Sequence, residues 1–249
     1  MAVSNSISEE EWVEWARIAQ SADLDDQTPA VGPTSPPGEV TTIAWDTETT
    51  GLSVSARLVS IAMVCFDADS NVTSTYHEII RPERDVYFTP QSVAIHGISR
   101  QRASSEGVPF DEVFERICEI VHAAGSGVTL VGHNASFDRM VLQRELACRG
   151  ISTSRTGFDF INAKDGSHSF ECTLKLARLL KVMPNNKKGN YTLSTLHTEL
   201  LHETFDGAHD ALNDAKAAGR LFHRLRAMQH QRSVEARQRF PAIKRKIEG

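Results

Sequence analysis

The sequence has few cysteines, no long apolar run and no basic leader, and each absence excludes a class of protein. The four cysteines lie far apart without a C-x-x-C pair, which argues against a disulfide framework and a zinc knuckle. No apolar run approaches the ~20 residues that span a bilayer. Residues 1–14 hold acids but no lysine or arginine, unlike a secretory signal or a transit peptide. We therefore predict a cytoplasmic, non-secreted protein without a membrane partner, whose reduced and buried thiols are Cys65, Cys118, Cys148 and Cys172.

Acidic residues are concentrated near the start of the chain and basic residues near its end. The net charge of −5 argues against a general polyanion binder, yet residues 1–40 alone hold eight acids and one base. The rest of the chain therefore carries a small positive excess, and its last basic cluster is Lys244-Arg245-Lys246. The tail is a phosphate-contacting segment, a nuclear address or a solvated helix face, and the sequence does not choose among them.

Composition divides the chain into three segments. Ser8–Ala22 predicts a short helix with Trp12 and Trp15 on one stripe, and the proline-rich stretch Gln27–Gly38 predicts a linker. The two tryptophans either pack on the main domain or bind another protein, such as a polymerase. We predict an acidic helix with its linker, a main domain and a basic tail, at residues 1–38, 39–230 and 231–249.

The main domain reads as a mixed sheet flanked by helices. The first three strands form an antiparallel meander and a fourth follows later, at Val40–Trp45, Arg57–Phe66, Ser74–Ile80 and Val128–Gly132. One helix is capped by Ser136 at its start and by Gly150 beyond its end. The predicted helices are Phe110–Ala124, Ser136–Arg149, Glu171–Lys181, Thr192–Leu201 and Ala208–Gln229. This order of strands and helices indicates an α/β fold.

The first acidic motif ends a predicted strand. Asp46 and Glu48 follow the apolar run Thr42–Trp45, and alternate residues of a strand point to the same face. Two adjacent carboxylates repel each other unless they are protonated or share a cation, and oxygen ligands favour Mg²⁺ or Mn²⁺. Acidic strand ends are common without any metal, so this motif alone does not identify a site.

The second motif joins a strand end, a polar turn and the start of a helix. Asp138 falls in the first helical turn, where the helix dipole favours an acid, so a structural role would also explain it. Phe137 beside it either belongs to the core or offers a face on which a base stacks.

The third motif lies at the start of the last predicted helix. His209 follows Gly207 closely, and Asp214 lies about one helical turn further along. Positions i and i+5 are ~140° apart on an ideal helix, whereas Asp210 and Asp214 share one face. Spacing therefore leaves open which acid of this segment belongs to a site.

In this order the segments resemble the motifs of the DnaQ-like 3′→5′ exonucleases, the histidine (DEDDh) subclass of the DEDD family. Asp46–Leu52, Gly132–Asp138 and His209–Asp214 resemble the first, second and third motifs. Val93–Ile98 resembles the segment between the first two, and the resemblance covers about residues 40–225. Where the family often has an acid after the second motif, this chain has Cys172, a position that holds no metal in the family.

The resemblance implies a fold, a cofactor and a set of site residues. The fold is that of the ribonuclease H-like superfamily, a three-layer α/β/α arrangement around a five-stranded mixed sheet whose first three strands are antiparallel. His209 would be the general base, since histidine ordinarily titrates near neutral pH, and Asp210 would be a bystander. Two Mg²⁺ or Mn²⁺ ions would be held by the four carboxylates of Asp46, Glu48, Asp138 and Asp214.

The implied activity is metal-dependent 3′→5′ removal of 5′-nucleoside monophosphates from single-stranded DNA, in proofreading or repair. The alternatives are a 3′→5′ exonuclease that trims RNA, and a polymerase-docking subunit that uses the Trp12/Trp15 helix. For His96 a packing role beneath the first motif is equally compatible with the sequence. The resemblance places six residues at the 3′ end of the substrate: Thr49, Thr50, Leu52, His96, Asn134 and Phe137.

Overall fold

The computed structural model describes four stretches of the chain, residues 38–53, 55–151, 169–183 and 191–239. The predicted tryptophan helix, the proline-rich linker and the last ten residues lie outside these stretches. Residues 35–225 form one compact unit, and residues from Arg226 onwards belong to a second. The sheet and all three acidic motifs lie in the first unit.

Five strands form one mixed sheet in the order β3-β2-β1-β4-β5. Neighbours β1, β2 and β3 pair antiparallel, whereas β4 pairs parallel to both β1 and β5. This arrangement confirms the predicted sheet and its antiparallel start. The strands are β1 (Thr42–Thr49), β2 (Leu58–Phe66), β3 (Val72–Ile79), β4 (Thr129–Gly132) and β5 (Ser169–Cys172).

Seven helices lie in the described stretches, and two of them were not predicted. These two are short helices, α1 and α2, whose N-termini are capped by the side chains of Thr89 and Ser99. Pro90 begins α1, a position where proline's missing amide hydrogen is not needed by the helix. The helices are α1 (Pro90–His96), α2 (Arg100–Glu106), α3 (Phe110–Ala124), α4 (Ser136–Cys148), α5 (Thr173–Leu179), α6 (Leu193–Leu201) and α7 (Ala211–Arg239).

Alternate side chains of β1 face two different helical layers. Ile43 and Trp45 point into a core cluster that also contains buried residues of α3 and α4. Ala44 points the other way, towards α7, where a Cβ on Gly219 would lie 3.0 Å from the Ala44 Cβ and 2.2 Å from a Phe66 ring carbon. Helix α7 therefore packs closely on the second face, and the three-layer prediction is confirmed.

Several predicted boundaries were wrong. Glu171 and Cys172 were assigned to a helix but belong to β5, because they pair with Val131 and Gly132 of β4. Helix α7 begins at Ala211, three residues later than predicted, and continues to Arg239. Ser136 does not cap α4, since Ala135 occupies the cap position without a side-chain hydrogen bond. Long-range pairing and backbone geometry, which local patterns do not report, set these ends.

The prediction that all four cysteines are buried was partly wrong. All four thiols are free, and Cys65 is buried. Cys118 and Cys172 are only partly buried, and Cys148 is exposed because it lies in the last turn of α4. Among the helices of the described stretches, none has both the length and the apolar composition of a transmembrane span.

Candidate active site

Three carboxylates from two elements meet beside the end of β1. Asp46 and Glu48 point to the same face of the strand, and Asp214 reaches them from the first turn of α7, which packs on that face. One carboxylate oxygen of each residue lies within 4.8 Å of the others. The structure thus brings together acids that are 166 residues apart along the chain.

Asp138 enters the same charge cluster from the opposite helical layer. It lies in the first turn of α4 and is only 3 % exposed. Its Oδ1 accepts hydrogen bonds from the Thr47 amide at 3.1 Å and the Thr47 hydroxyl at 2.7 Å. It is not one of the three acids whose oxygens lie within 4.8 Å of one another, yet its charge contributes to the raised pKa of both Asp46 and Glu48.

Burial and mutual repulsion disfavour ionisation of all four acids. Burial, followed by the charges of Asp138 and Asp214, raises the pKa of Asp46 well above its usual value. Burial, followed by the charge of Asp214, raises the pKa of Glu48 to about 8. The pKa values of Asp138 and Asp214 rise to about 6, again mainly through burial.

This donor set fits a divalent cation. Buried like charges are stable when they coordinate a metal ion, and an all-oxygen set suits a hard cation such as Mg²⁺ or Mn²⁺. Asp214 adds a specific indication, because its Oδ1 is buried and receives a hydrogen bond from no described residue. Asp46, Glu48 and Asp214 are therefore the residues best placed to hold a cation, with Asp138 beside them.

The turn before α7 decides the question that spacing left open in the third motif. Asp210 caps the helix, since its Oδ1 accepts the Asn213 amide at 3.0 Å. His209 has a left-handed backbone (φ 67°), and its amide donates to Asp214 Oδ2 at 3.1 Å. The His209 side chain is exposed beside the cluster. Asp214, not Asp210, is the acid of this segment that joins Asp46 and Glu48.

The threonines of the first motif are engaged within the protein. The Thr49 hydroxyl donates to the Gly51 carbonyl at 2.7 Å. Thr50 is 3 % exposed, accepts the Arg57 amide on its hydroxyl at 3.0 Å and donates its own amide to the Arg57 carbonyl. Leu52, by contrast, is 88 % exposed on the turn that follows. Of these predicted substrate contacts, Leu52 offers the largest free surface.

His96 connects helix α1 to the first motif. Its Nδ1 accepts the Ile98 amide at 3.0 Å, so the ring proton resides on Nε2, which donates to the Thr49 carbonyl at 3.2 Å. Burial lowers the pKa of His96. Both ring nitrogens thus have protein partners, which favours the packing role for this residue.

The turn of the second motif is held by a histidine that the sequence analysis left unassigned. Within this turn Asn134 is exposed with a left-handed backbone, and Phe137 is partly buried against the core. His133 contacts the Thr173 hydroxyl through Nδ1 at 2.9 Å and the Tyr191 carbonyl through Nε2 at 3.1 Å. Burial lowers its pKa to about 4, so the ring is neutral. No local pattern identifies these partners, which lie 40 and 58 residues further along.

Comparison with known proteins places this geometry among nucleases. Residues 43–222 match the family model RNase_T, described as exonuclease. The DNA polymerase III subunit epsilon of Treponema pallidum (strain Nichols) is 28 % identical over 183 residues, which cover 72 % of this chain and 73 % of the relative.

Solved structures of exonucleases share the fold. The E. coli exonuclease I complex with a dA16 oligonucleotide matches with a TM-score of 0.63 and 20 % identity over 77 % of this chain and 42 % of that one. The nuclease domain of 3′hExo, a DEDDh family member bound to rAMP, matches with a TM-score of 0.61 and 14 % identity over 75 % and 91 %. This chain spans about two fifths of the exonuclease I chain.

Proposed function

We propose that the protein, which belongs to the DnaQ-like (DEDDh) family of exonucleases, releases 5′-nucleoside monophosphates from the 3′ end of single-stranded DNA. Membership makes it an exonuclease that hydrolyses phosphodiester bonds of nucleic acid. The observation that supports metal-dependent hydrolysis is the meeting of Asp46, Glu48 and Asp214 beside Asp138, whereas the 3′ polarity and the single-stranded DNA substrate rest on the family resemblance.

The four carboxylates are proposed to hold two Mg²⁺ or Mn²⁺ ions, which when bound would neutralise the cluster and make a bound water more acidic. His209 is the candidate general base, since its backbone amide binds Asp214, its side chain is exposed, and histidine is the residue that most often acts as a general base. The water oxygen forms a bond to the terminal phosphorus, and the bond to the O3′ of the preceding nucleotide breaks. The products are a strand one nucleotide shorter, with a new 3′-hydroxyl, and a 5′-nucleoside monophosphate.

The turn of the first motif is the proposed binding site for the 3′ end of the substrate. Leu52 projects from this turn with most of its surface free and would insert between the last two bases. Thr49 and Thr50 shape the turn, with His96 bound to the Thr49 carbonyl. Asn134 and Phe137, at the second motif, would line the other side of the terminal nucleotide.

A substitution of Asp46 tests the proposed activity. We expect Asp46→Ala to lower nucleotide release from a labelled single-stranded DNA oligomer by about a thousandfold or more, because it removes a carboxylate of the proposed cation site. Each tenfold loss in rate corresponds to about 1.4 kcal/mol of transition-state stabilisation. Circular dichroism checks that the variant is folded. Asp69→Ala, in the exposed turn between β2 and β3, is the matched control and keeps full activity. Full activity in Asp46→Ala would contradict the proposal.

RNA is the second candidate substrate. One similar structure, the DEDDh nuclease domain of 3′hExo, holds rAMP, whereas the exonuclease I complexes hold DNA oligonucleotides. Discrimination between the sugars can rest on one or two contacts to the 2′-hydroxyl. Parallel assays on DNA and RNA oligomers of the same sequence decide between the two, and faster release from RNA would replace DNA by RNA in the proposal.

A protein partner is a separate proposal for the N-terminal segment. The relative from Treponema pallidum is a polymerase subunit, and the predicted helix with Trp12 and Trp15, followed by a proline-rich sequence, would suit docking to a polymerase. Removal of residues 1–38 should then abolish co-purification with the polymerase and leave nucleotide release intact. Unchanged co-purification would exclude this segment as the docking element.

A further inference from the structure

We propose that Thr47 is a positioning residue that orients the Asp138 carboxylate towards the other three acids, an inference that rests on the function proposed above. Thr47 stands between Asp46 and Glu48 and is 7 % exposed. It donates twice to a single oxygen, Asp138 Oδ1, from the amide at 3.1 Å and from the hydroxyl at 2.7 Å. Two donors on one oxygen restrict rotation of the carboxylate about its Cβ–Cγ bond.

The layered fold explains why Asp138 needs such a contact. Asp46 and Glu48 point to the face of the sheet on which α7 packs and delivers Asp214. Thr47 points to the opposite face, as do Ile43 and Trp45, and there it meets helix α4. Asp138 is therefore the one acid of the four that comes from the far helical layer. Thr47 connects that layer to the strand at the position between the two acids.

The contact has the geometry of a charge-assisted hydrogen bond. A hydroxyl-to-carboxylate distance of 2.7 Å is short, and bonds to an ionised group are roughly twice as strong as neutral ones. Removal of a residue that hydrogen-bonds to a metal ligand typically lowers metal affinity or activity by about 10–100-fold. Thr47 occupies that place relative to Asp138.

The alternative is that Thr47 only satisfies a buried carboxylate and supports folding. The two roles differ in the folded protein. If Thr47 only supports folding, its substitution lowers the free energy of unfolding and leaves the cation affinity of folded molecules unchanged. If Thr47 positions Asp138, its substitution changes that affinity at temperatures where every variant is folded.

The test compares three variants of the full-length chain by calorimetric titration with Mn²⁺ below their unfolding temperatures. Thr47→Val keeps the shape and the backbone amide but removes the hydroxyl, and we expect Mn²⁺ affinity to fall about tenfold. Thr47→Ser keeps the hydroxyl and should restore affinity to within about threefold of wild type. Thr42→Val makes the same change at a buried position five residues earlier on β1 and should bind Mn²⁺ like wild type.

Kinetics on single-stranded DNA give a second measurement. We expect kcat of Thr47→Val to fall with its Mn²⁺ affinity while KM changes less than twofold, because Thr47 is buried and offers little surface to a substrate. Unchanged Mn²⁺ affinity in Thr47→Val, or failure of Thr47→Ser to restore it, would overturn the proposal. Wild-type protein that binds Mn²⁺ but releases no nucleotide overturns only the proposed function. Absence of Mn²⁺ binding to wild type overturns both.

Discussion

At the scale of single residues, the third motif shows how backbone conformation selects between two equivalent acids. Asp210 and Asp214 share a helix face by spacing, but the helix begins only at Ala211. Asp210 is consequently the capping residue, and Asp214 lies within the first turn, with its Oδ2 bound to the His209 amide. Two chemically identical side chains four residues apart therefore have different roles.

Substitution of the two acids by asparagine separates these roles. Asp214→Asn should lower nucleotide release by about a hundredfold or more, because it removes a charge from the proposed cation site. Asp210→Asn should keep activity within a few-fold and stability within ~0.5 kcal/mol, because asparagine caps helices about as well as aspartate. Steady-state assays with urea unfolding measure both effects. Equal losses in the two variants would contradict the assignment.

At the scale of elements, a buried carboxylate ties helix α4 to the turn of the first motif. Glu145 lies two helical turns after Asp138, and its side chain is 2 % exposed. It accepts the Arg57 guanidinium through both oxygens at 2.8 Å, the Leu58 amide at 3.3 Å and Arg149 Nε at 2.9 Å. Because the Arg57 backbone pairs with Thr50, the helix that carries Asp138 and the motif that carries Asp46 are held together.

Removal of this carboxylate should therefore be far more harmful than removal of a surface acid. We expect Glu145→Ala to lower the free energy of unfolding by about 3–5 kcal/mol, because it leaves the largely buried Arg57 without its main partner. The other acid near Arg57 is Glu83, whose side chain is 51 % exposed. Glu83→Ala should therefore lower the free energy of unfolding by less than ~1 kcal/mol. Urea denaturation measures both values, and similar losses would show that burial of the pair is unimportant.

At the scale of the whole molecule, the acidic cluster opposes folding when no cation is bound. The pKa of Glu48 is 4.5 as an ordinary residue and about 8 in the folded chain. Between these values the folded state binds a proton that the unfolded state has released, so the free energy of unfolding falls as pH rises. Asp46, Asp138 and Asp214 act in the same direction, because their pKa values are also raised.

Stability should therefore depend on pH and on divalent cations together. In the presence of a chelator, the melting temperature should fall as pH increases from about 6.5 to about 8, because above the ordinary histidine pKa of 6.5 the buried histidines no longer contribute and the raised pKa of Glu48 sets the direction. Saturating Mg²⁺ or Mn²⁺ should reverse this trend near pH 8, and a cation at a hundred times its Kd adds about 2.7 kcal/mol. Differential scanning calorimetry measures both effects. A chelated protein that becomes more stable over this pH range would contradict the raised pKa values.

Much of the architecture followed from local sequence patterns, whereas the full set of site acids was implied by the resemblance of the three motifs to those of a known family. Alternation along β1 placed Asp46 and Glu48 on one face, and the order of the predicted strands and helices indicated a mixed sheet. These features are encoded over a few neighbouring residues, where strand and helix periods act directly. The same patterns missed β5, because its four residues become a strand only by pairing with β4.

The sequence by itself determined which acids were available and in which order they follow one another. The choice of Asp214 over Asp210 was implied by the family resemblance, and the structure brings Asp214 into the cluster. Only the tertiary structure decided that Thr47 holds Asp138 and that Glu145 anchors Arg57. The last two contacts join residues 91 and 88 positions apart. Such contacts depend on how the layers pack around the sheet, and packing arises from the whole chain because no local period specifies which distant side chains will meet.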